Sequence, residues 1–327
     1  MESVPQKLSE SETRVMRDST ADSWAEAMRR GDFEAAWIIN DRVLGARDLR
    51  TRDDPKRPYH ERWVWDGRSP RGRSVLVRCY HGLGDTIQFA RYLPILDACA
   101  ASWRIEIQPA LRPLLGLRYP SERLVSFCPA SPLPKAECDI EVMELAHVFR
   151  LPPGPDLAKP YVSIPQSRVD EMRSRFGLNA GPSAGLCWCA GDWDGYRSVP
   201  LPLLATYLSG LAITWVSLQG GDAASDALGP SAPPLANAGV AERDIVDCAA
   251  LICAVDLVIT VDTMVAHLAG ALGRPTFLLL KKNADWRWML NGSQSPWYPT
   301  VRIYRQTTED DWHSPLVGVR RGLQALF

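Results

Sequence analysis

The spacing of apolar residues changes character along the chain. Between Ser23 and Leu44 it is helical: two short amphipathic helices are predicted, broken at Gly31-Asp32, the second continuing through Ile38, Ile39, Val43 and Leu44. From Arg73 onward, short apolar runs alternate with helical segments. Strands are predicted at 74–79, 103–108, 124–127, 161–164, 184–189, 213–218, 255–260 and 276–280. That alternation predicts parallel sheets with crossover helices, an α/β architecture of two doubly wound domains facing a cleft. Residues 1–20 are polar and read as an unstructured lead, and 45–58, with Pro55 and Pro58, as a linker. Pro- and Gly-rich stretches at 151–160 and 178–182 flank a domain boundary, and 220–239 reads as a loop.

Composition narrows the functional classes. The 327 residues carry a formal net charge of −1, with the 37 basic residues spread along the chain. Neither a basic excess nor a basic stripe marks a nucleic-acid footprint, so no nucleic-acid partner is expected. No apolar run reaches the roughly 18 residues of a membrane span. MESVPQKLSESETRVMRDST has no apolar signal segment, so a cytoplasmic protein is expected. Of the eight cysteines, only Cys187 and Cys189 are close, inside an apolar run. Zinc would need two more convergent ligands, so buried free thiols are expected rather than a metal site.

Two segments carry candidate chemistry. In His81-Gly82-Leu83-Gly84-Asp85, a strand turns into a helix. Asp85 can cap that helix; it can also act as a base beyond a strand's carboxyl end, where open α/β sheets bind ligands. A dinucleotide fingerprint fails because Ile87 stands where a third small residue is needed, and no Gly-Lys-Ser/Thr phosphate loop is present. The second segment, residues 255–280, reads as strand, helix and strand. Asp262 or Thr263 caps its helix, Gly273 ends it, and Pro275 precedes the next strand. The helix start at Thr263-Met264-Val265 suits a phosphate or diphosphate. His267, one turn on, can reach the same anion or serve as a packing residue.

Taken together, Gly82-Leu83-Gly84-Asp85-Thr86-Ile87-Gln88-Phe89-Ala90-Arg91-Tyr92-Leu93-Pro94 and Val261-Asp262-Thr263-Met264-Val265-Ala266-His267-Leu268-Ala269-Gly270-Ala271-Leu272-Gly273 resemble glycosyltransferase family 9, which contains the bacterial heptosyltransferases. The form that follows tetratricopeptide repeats is the more similar, and the N-terminal helix pair is similar to a single such repeat. Supporting stretches are Trp188-Cys189-Ala190-Gly191, Arg197-Ser198, Ser217-Leu218-Gln219, Asp285-Trp286-Arg287-Trp288 and Ser295-Pro296-Trp297-Tyr298-Pro299. The resemblance covers about residues 60–327.

It implies a GT-B fold: a helical extension and linker at 1–58, an acceptor domain at 59–165, a nucleotide-sugar domain at 166–305, and a terminal segment at 306–327 packing back on the acceptor domain. It implies a metal-independent transferase without cofactor, moving sugar from a nucleotide-sugar donor to a glycan, lipid or protein hydroxyl. Asp85 would be the general base. Arg197 would face the leaving phosphate in place of the family's usual lysine. Gly191, Gln219, Asp262, Thr263, Met264 and His267 would line the donor site, and Gly82, Gly84 and Gln88 the acceptor-side loop. Met264 departs from the glycine that usually follows Asp-Thr in heptosyltransferases, which leaves the donor sugar open.

Three further features carry competing readings. Asp192-Trp193-Asp194 mimics a metal-binding Asp-x-Asp pair but reads better as a loop coincidence. The aromatics Trp286, Trp288, Trp297 and Tyr298 suit packing between domains more than stacking on a ligand. The alternative to an enzyme is a degenerate transferase domain acting as a binding module, with a protein partner on the N-terminal helices.

Overall fold

A computed structural model describes residues 10–47, 65–128, 134–191, 194–237 and 244–327, with side chains from residue 19. Residues 48–58 of the expected 45–58 linker and the pair Asp192-Trp193 lie outside the described residues; Gly45 is the last residue of a helix.

Two parallel sheets organise the chain. The first contains β1 (Ser74–Arg78), β2 (Ser102–Ile107), β3 (Leu124–Ser126) and β4 (Cys138–Glu141) in the order β3-β2-β1-β4. The second contains β5 (Ser183–Cys187), β6 (Thr214–Ser217), β7 (Leu257–Val261), β8 (Thr276–Leu280) and β9 (Val301–Arg305) in the order β6-β5-β7-β8-β9. Strands β5, β7 and β8 are buried along their whole length, which is why each reads as a continuous apolar run.

Helices of the first half are α1 (Glu10–Arg30), α2 (Phe33–Gly45), α3 (Leu83–Phe89), α4 (Leu93–Cys99), α5 (Arg112–Gly116) and α6 (Leu145–Phe149). The second half adds α7 (Gln166–Arg175), α8 (Leu201–Leu208), α9 (Ile245–Ala254), α10 (Met264–Ala271) and α11 (His313–Leu326).

Strand order creates the site. The chain adds β2 and β3 on one side of β1, then places β4 on the other; in the second sheet β6 lies on one side of β5 and β7 on the other. Loops leaving β1 and β5/β7 therefore diverge at switch points, where open α/β sheets leave a crevice. The GT-B class expected from the sequence is the class observed.

Several local expectations are corrected. Helix α1 begins at Glu10, inside the stretch read as an unstructured lead. Glu, Arg and Met there are good helix formers although they make no apolar stripe. No strand forms at 161–164. Flanking Pro160 and Pro165 limit pairing, and the Tyr161 and Val162 amides donate instead to the Ala271 carbonyl at the end of α10.

Strands β4 and β9 escape the apolar pattern. β4 reads Cys-Asp-Ile-Glu, and its Asp139 lies 3.8 Å from the fully buried Arg78, which also faces Glu106 at 3.9 Å. β9 reads Val-Arg-Ile-Tyr-Arg, the alternation of an edge strand.

Helix α11 does not pack on the first sheet as the resemblance implied. Its apolar face, Leu316, Val319 and Leu323, joins Phe277, Leu279 and Trp188 in the core of the second sheet. The crossing segment is 286–298 instead. Trp297 meets Phe89 edge-on at 5.7 Å, and the buried Arg91 guanidinium donates to the Trp297 carbonyl at 2.8 Å. The same guanidinium lies over the rings of Tyr298 at 4.6 Å and Tyr161 at 5.0 Å.

The helix pair turns at Gly31, whose φ of +76° glycine adopts without strain, and Asp32 caps α2 by accepting from the Ala35 amide. It docks through Trp24 against Trp286 (5.2 Å, edge-on), Asp41 to His147 (2.8 Å) and Arg47 to Glu144. Among the described residues, no helix is long and apolar enough to cross a membrane.

Candidate active site

A cleft of about 1500 Å³ opens where the β1, β5 and β7 loops meet. Asp85, Gly82 and Gly84 line it from the first half. Gly191, Arg197, Gln219, Asp262, Thr263, Met264 and His267 line it from the second. Gln88 does not. It is fully buried beneath α3, and neither its amide nitrogen nor its oxygen has a hydrogen-bond partner among the described residues. It faces inward because α3 turns its Thr86–Phe89 stretch into the core. Its assignment to the acceptor-side loop is therefore corrected.

Asp85 does two things at once. Its Oδ2 accepts from the Gly82 amide at 2.9 Å, closing the first turn of α3, and its Oδ1 accepts from Arg287. Each carboxylate oxygen keeps a lone pair for a further donor.

Sequence reasoning misses Arg287 as a site residue because it sits in an aromatic run 202 positions away. Its Nη1 donates to Asp285 at 2.8 Å, and its Cζ lies 4.4 Å from the Trp286 ring centroid. Burial opposes its charge, but Asp285 and Asp85 raise its pKa above the usual guanidinium value.

On the opposite wall, Thr263 caps α10 by accepting from the Val265 amide at 3.1 Å. Arg197 donates to the Asp262 carbonyl at 2.8 Å. Lys281 lines the same wall, bonded to Asp194 at 2.6 Å. Gln219 joins the ends of β5 and β6, accepting from the Trp188 and Cys189 amides at 3.1 and 2.9 Å. This wall therefore offers a helix N-terminus with two cationic side chains, a setting for an anion.

Asp262 and His267 are displaced as well. Burial, with the like charge of Asp285 close by, pushes the Asp262 carboxyl up to about 6. Burial, reinforced by Arg287, Arg91 and Arg197, holds His267 well below the usual imidazole range. A neutral His267 stacked on Trp288 and bonded to the Tyr298 hydroxyl at 3.1 Å behaves as a packing residue of the cleft floor rather than a cation.

The raised Asp262 predicts a pH effect. Its native pKa exceeds the ordinary aspartate value of 3.8, so its stabilisation is complete below pH 4 and is lost as pH rises through about 6. Asp262→Asn is expected to be more stable than wild type at pH 7.5, by at most about 3 kcal/mol, and to lose that advantage at pH 4. Urea melts of both proteins at the two pH values check this.

The walls also meet where α3 packs against α10. A Cβ built on Gly84 would lie 2.7 Å from His267 Cδ2 and 3.5 Å from the Met264 Cα. Only a residue without a side chain lets α3 and α10 approach this closely. Gly84→Ala is expected to cost about 1–3 kcal/mol, read as a lowered urea midpoint.

Residues 238–312 match the model of glycosyltransferase family 9 (heptosyltransferase). That segment is what this chain has in common with the family. It holds Asp262, Thr263, Met264, His267 and Arg287; the Asp85 loop lies outside it.

The family 9 glycosyl transferase of Veillonella parvula DSM 2008 superposes with a TM-score of 0.51 at 13% identity, over 80% of this chain and 99% of that one. That likeness shows the shared two-sheet fold. E. coli ADP-heptose LPS heptosyltransferase II gives a TM-score of 0.49 at 16% identity, over 77% of this chain and 97% of that one. Protein FlbA of Caulobacter vibrioides is 26% identical over 305 residues, 80% of this chain. The chain spans about half (48%) of the length of that curated relative.

Proposed function

We propose that the chain is a glycosyltransferase that moves a sugar from a nucleotide-sugar donor to an acceptor hydroxyl. The observation that carries this reading is the meeting of the Asp85 loop with the α10 start across one cleft, in a chain whose residues 238–312 match the family 9 model.

The donor diphosphate rests at the Thr263 and Met264 amides of the α10 start, flanked by Arg197 and Lys281. These groups offset the charge that grows on the leaving phosphate. Asp85 accepts the acceptor's proton as its oxygen attacks the sugar carbon. Arg287 orients the carboxylate for that step. Met264, half-buried at the first position of α10, narrows the space where the donor sugar sits. The family 9 match supports the class of donor, a nucleotide-activated sugar. In this reading the first sheet serves the acceptor and the second the donor.

Calorimetric titration with ADP, GDP, UDP and CDP tests the reading. At least one is expected to bind, and to bind at least tenfold more weakly to Arg197→Ala. A chain that binds none of the four is a binding module rather than a transferase.

A further inference from the structure

His81 stands at the wall of the cleft, and a buried carboxyl group lies behind it. Glu141 ends β4, which pairs with β1, and is only 5% exposed. Its Oε2 accepts from the Met143 amide at 3.0 Å and so caps the short turn at 142–144. Its Oε1 has no hydrogen-bond partner among the described residues and lies 4.0 Å from His81 Nε2. The cap uses one oxygen; the imidazole is within reach of the other. Catalytic hydrogen bonds are often this loose before a ligand binds, and a small side-chain rotation closes the gap.

The His81 side chain keeps 37% exposure and lines the same cleft as Asp85. The Gln108 side-chain amide donates to its carbonyl at 2.9 Å, and the Tyr80 ring lies 4.6 Å from its own. The Asp85 carboxylate folds back onto the next peptide, where it accepts from the Gly82 amide. One turn of chain therefore brings both an imidazole and the candidate base into the cleft.

Burial, then the charges of Glu144 and Asp85, raise the Glu141 carboxyl well above its usual range, with Arg287 opposing. Tyr80 senses Glu141 and Glu144 together with Arg78 of β1 and Arg47 of α2. A carboxyl group that ionises reluctantly shares one proton with the imidazole. It either donates to Nε2 or accepts from a charged ring. In both states Nδ1 bears a hydrogen, so the ring is a donor.

We propose that His81, oriented by Glu141, donates a hydrogen bond to the attacking oxygen and holds it against Asp85. The part played by Asp85 rests on the transferase reading; the His81–Glu141 pair does not. The oxygen belongs to the acceptor hydroxyl, or to water when the donor is hydrolysed. It forms the bond to the sugar carbon, its proton passes to Asp85, and the bond from that carbon to the diphosphate breaks with the electron pair leaving on the phosphate oxygen. His81 keeps its own hydrogen throughout.

The test uses the full chain. Nucleoside-diphosphate release is measured from ADP-glucose, GDP-mannose, UDP-glucose and UDP-N-acetylglucosamine with water as the acceptor, beside calorimetric titration with ADP, GDP, UDP and CDP. Wild type is expected to hydrolyse at least one donor. His81→Ala should lower kcat at least tenfold with KM within about twofold, whereas His81→Gln, which keeps an N–H donor, should stay within about threefold of wild type. In parallel, chain carrying ¹⁵N-labelled histidine is titrated by NMR, the His81 signals being those missing from His81→Gln. Two groups that share a proton titrate as a pair. The wild-type His81 signals should therefore follow pH in two steps, and those of Glu141→Gln in one.

Full activity in His81→Ala, or equal losses in His81→Ala and His81→Gln, overturns the role at the attacking oxygen. A single step in wild type overturns the pair. Nucleotide binding without hydrolysis of any donor overturns the seat for the oxygen and leaves the transferase reading standing. A chain that binds no nucleotide overturns the transferase reading, and the NMR titration then decides the pair by itself.

Discussion

Asp85→Asn is expected to lower kcat by about 10²–10⁴-fold while leaving nucleoside-diphosphate affinity within about twofold. The asparagine keeps the size of the side chain and an oxygen for the Gly82 amide, so the first turn of α3 survives. What it lacks is the capacity to take up a proton from an attacking hydroxyl. If Asp85 were only a helix cap, the loss would appear as stability, on the order of 1 kcal/mol, with turnover nearly intact. Steady-state kinetics with whichever nucleotide sugar the chain hydrolyses or transfers, run beside urea melts, separate the two outcomes. Turnover within threefold of wild type would remove Asp85 from the chemistry.

Arg287→Ala is expected to cost about 3–4 kcal/mol of stability, towards the lower end of what breaking a buried ion pair costs. The lower end applies because Asp85 and Asp285 keep side-chain exposures of 22% and 26%, so water partly replaces the lost guanidinium. Two carboxylates are left facing one another, with Asp262 close enough to Asp285 to have its own ionisation opposed. Activity should fall as well, since Asp85 loses the donor that orients it.

A double-mutant cycle with Asp85→Asn makes this specific. Once the carboxylate is gone, loss of Arg287 should lower kcat by far less than it does in the wild-type background. Independent effects would show that Arg287 serves the fold and not the base.

Much of this molecule is legible in its amino-acid pattern. A parallel sheet buries its central strands on both faces, so β5, β7 and β8 appear as apolar runs bounded by caps and prolines. Gly82-Leu83-Gly84-Asp85 and Asp262-Thr263 announce their turns because a helix start needs capping groups and a tight approach needs glycine. Such signals are local, carried by residues within one or two turns of each other.

Where the local signal is weak, the expectation fails. β4 hides its strand character behind Asp139 and Glu141, whose partners lie on other strands or in the cleft wall. Gln88 is expected at the acceptor-side loop from the resemblance, yet its place on α3 turns it inward.

Sequence alone determined the alternating α/β plan, the helix break at Gly31 and the two turns that flank the cleft. Each follows from backbone sterics and from burial read over a few residues. Only the tertiary structure decided that Arg287 meets Asp85, that His267 is a neutral floor residue, that α11 stays with the second sheet, and that Glu141 lies behind His81. These depend on chain reversals that bring together residues far apart in sequence, and on the loss of water around them. The desolvation that sets the ionisation of Asp262 and His267 exists only once the two halves are packed.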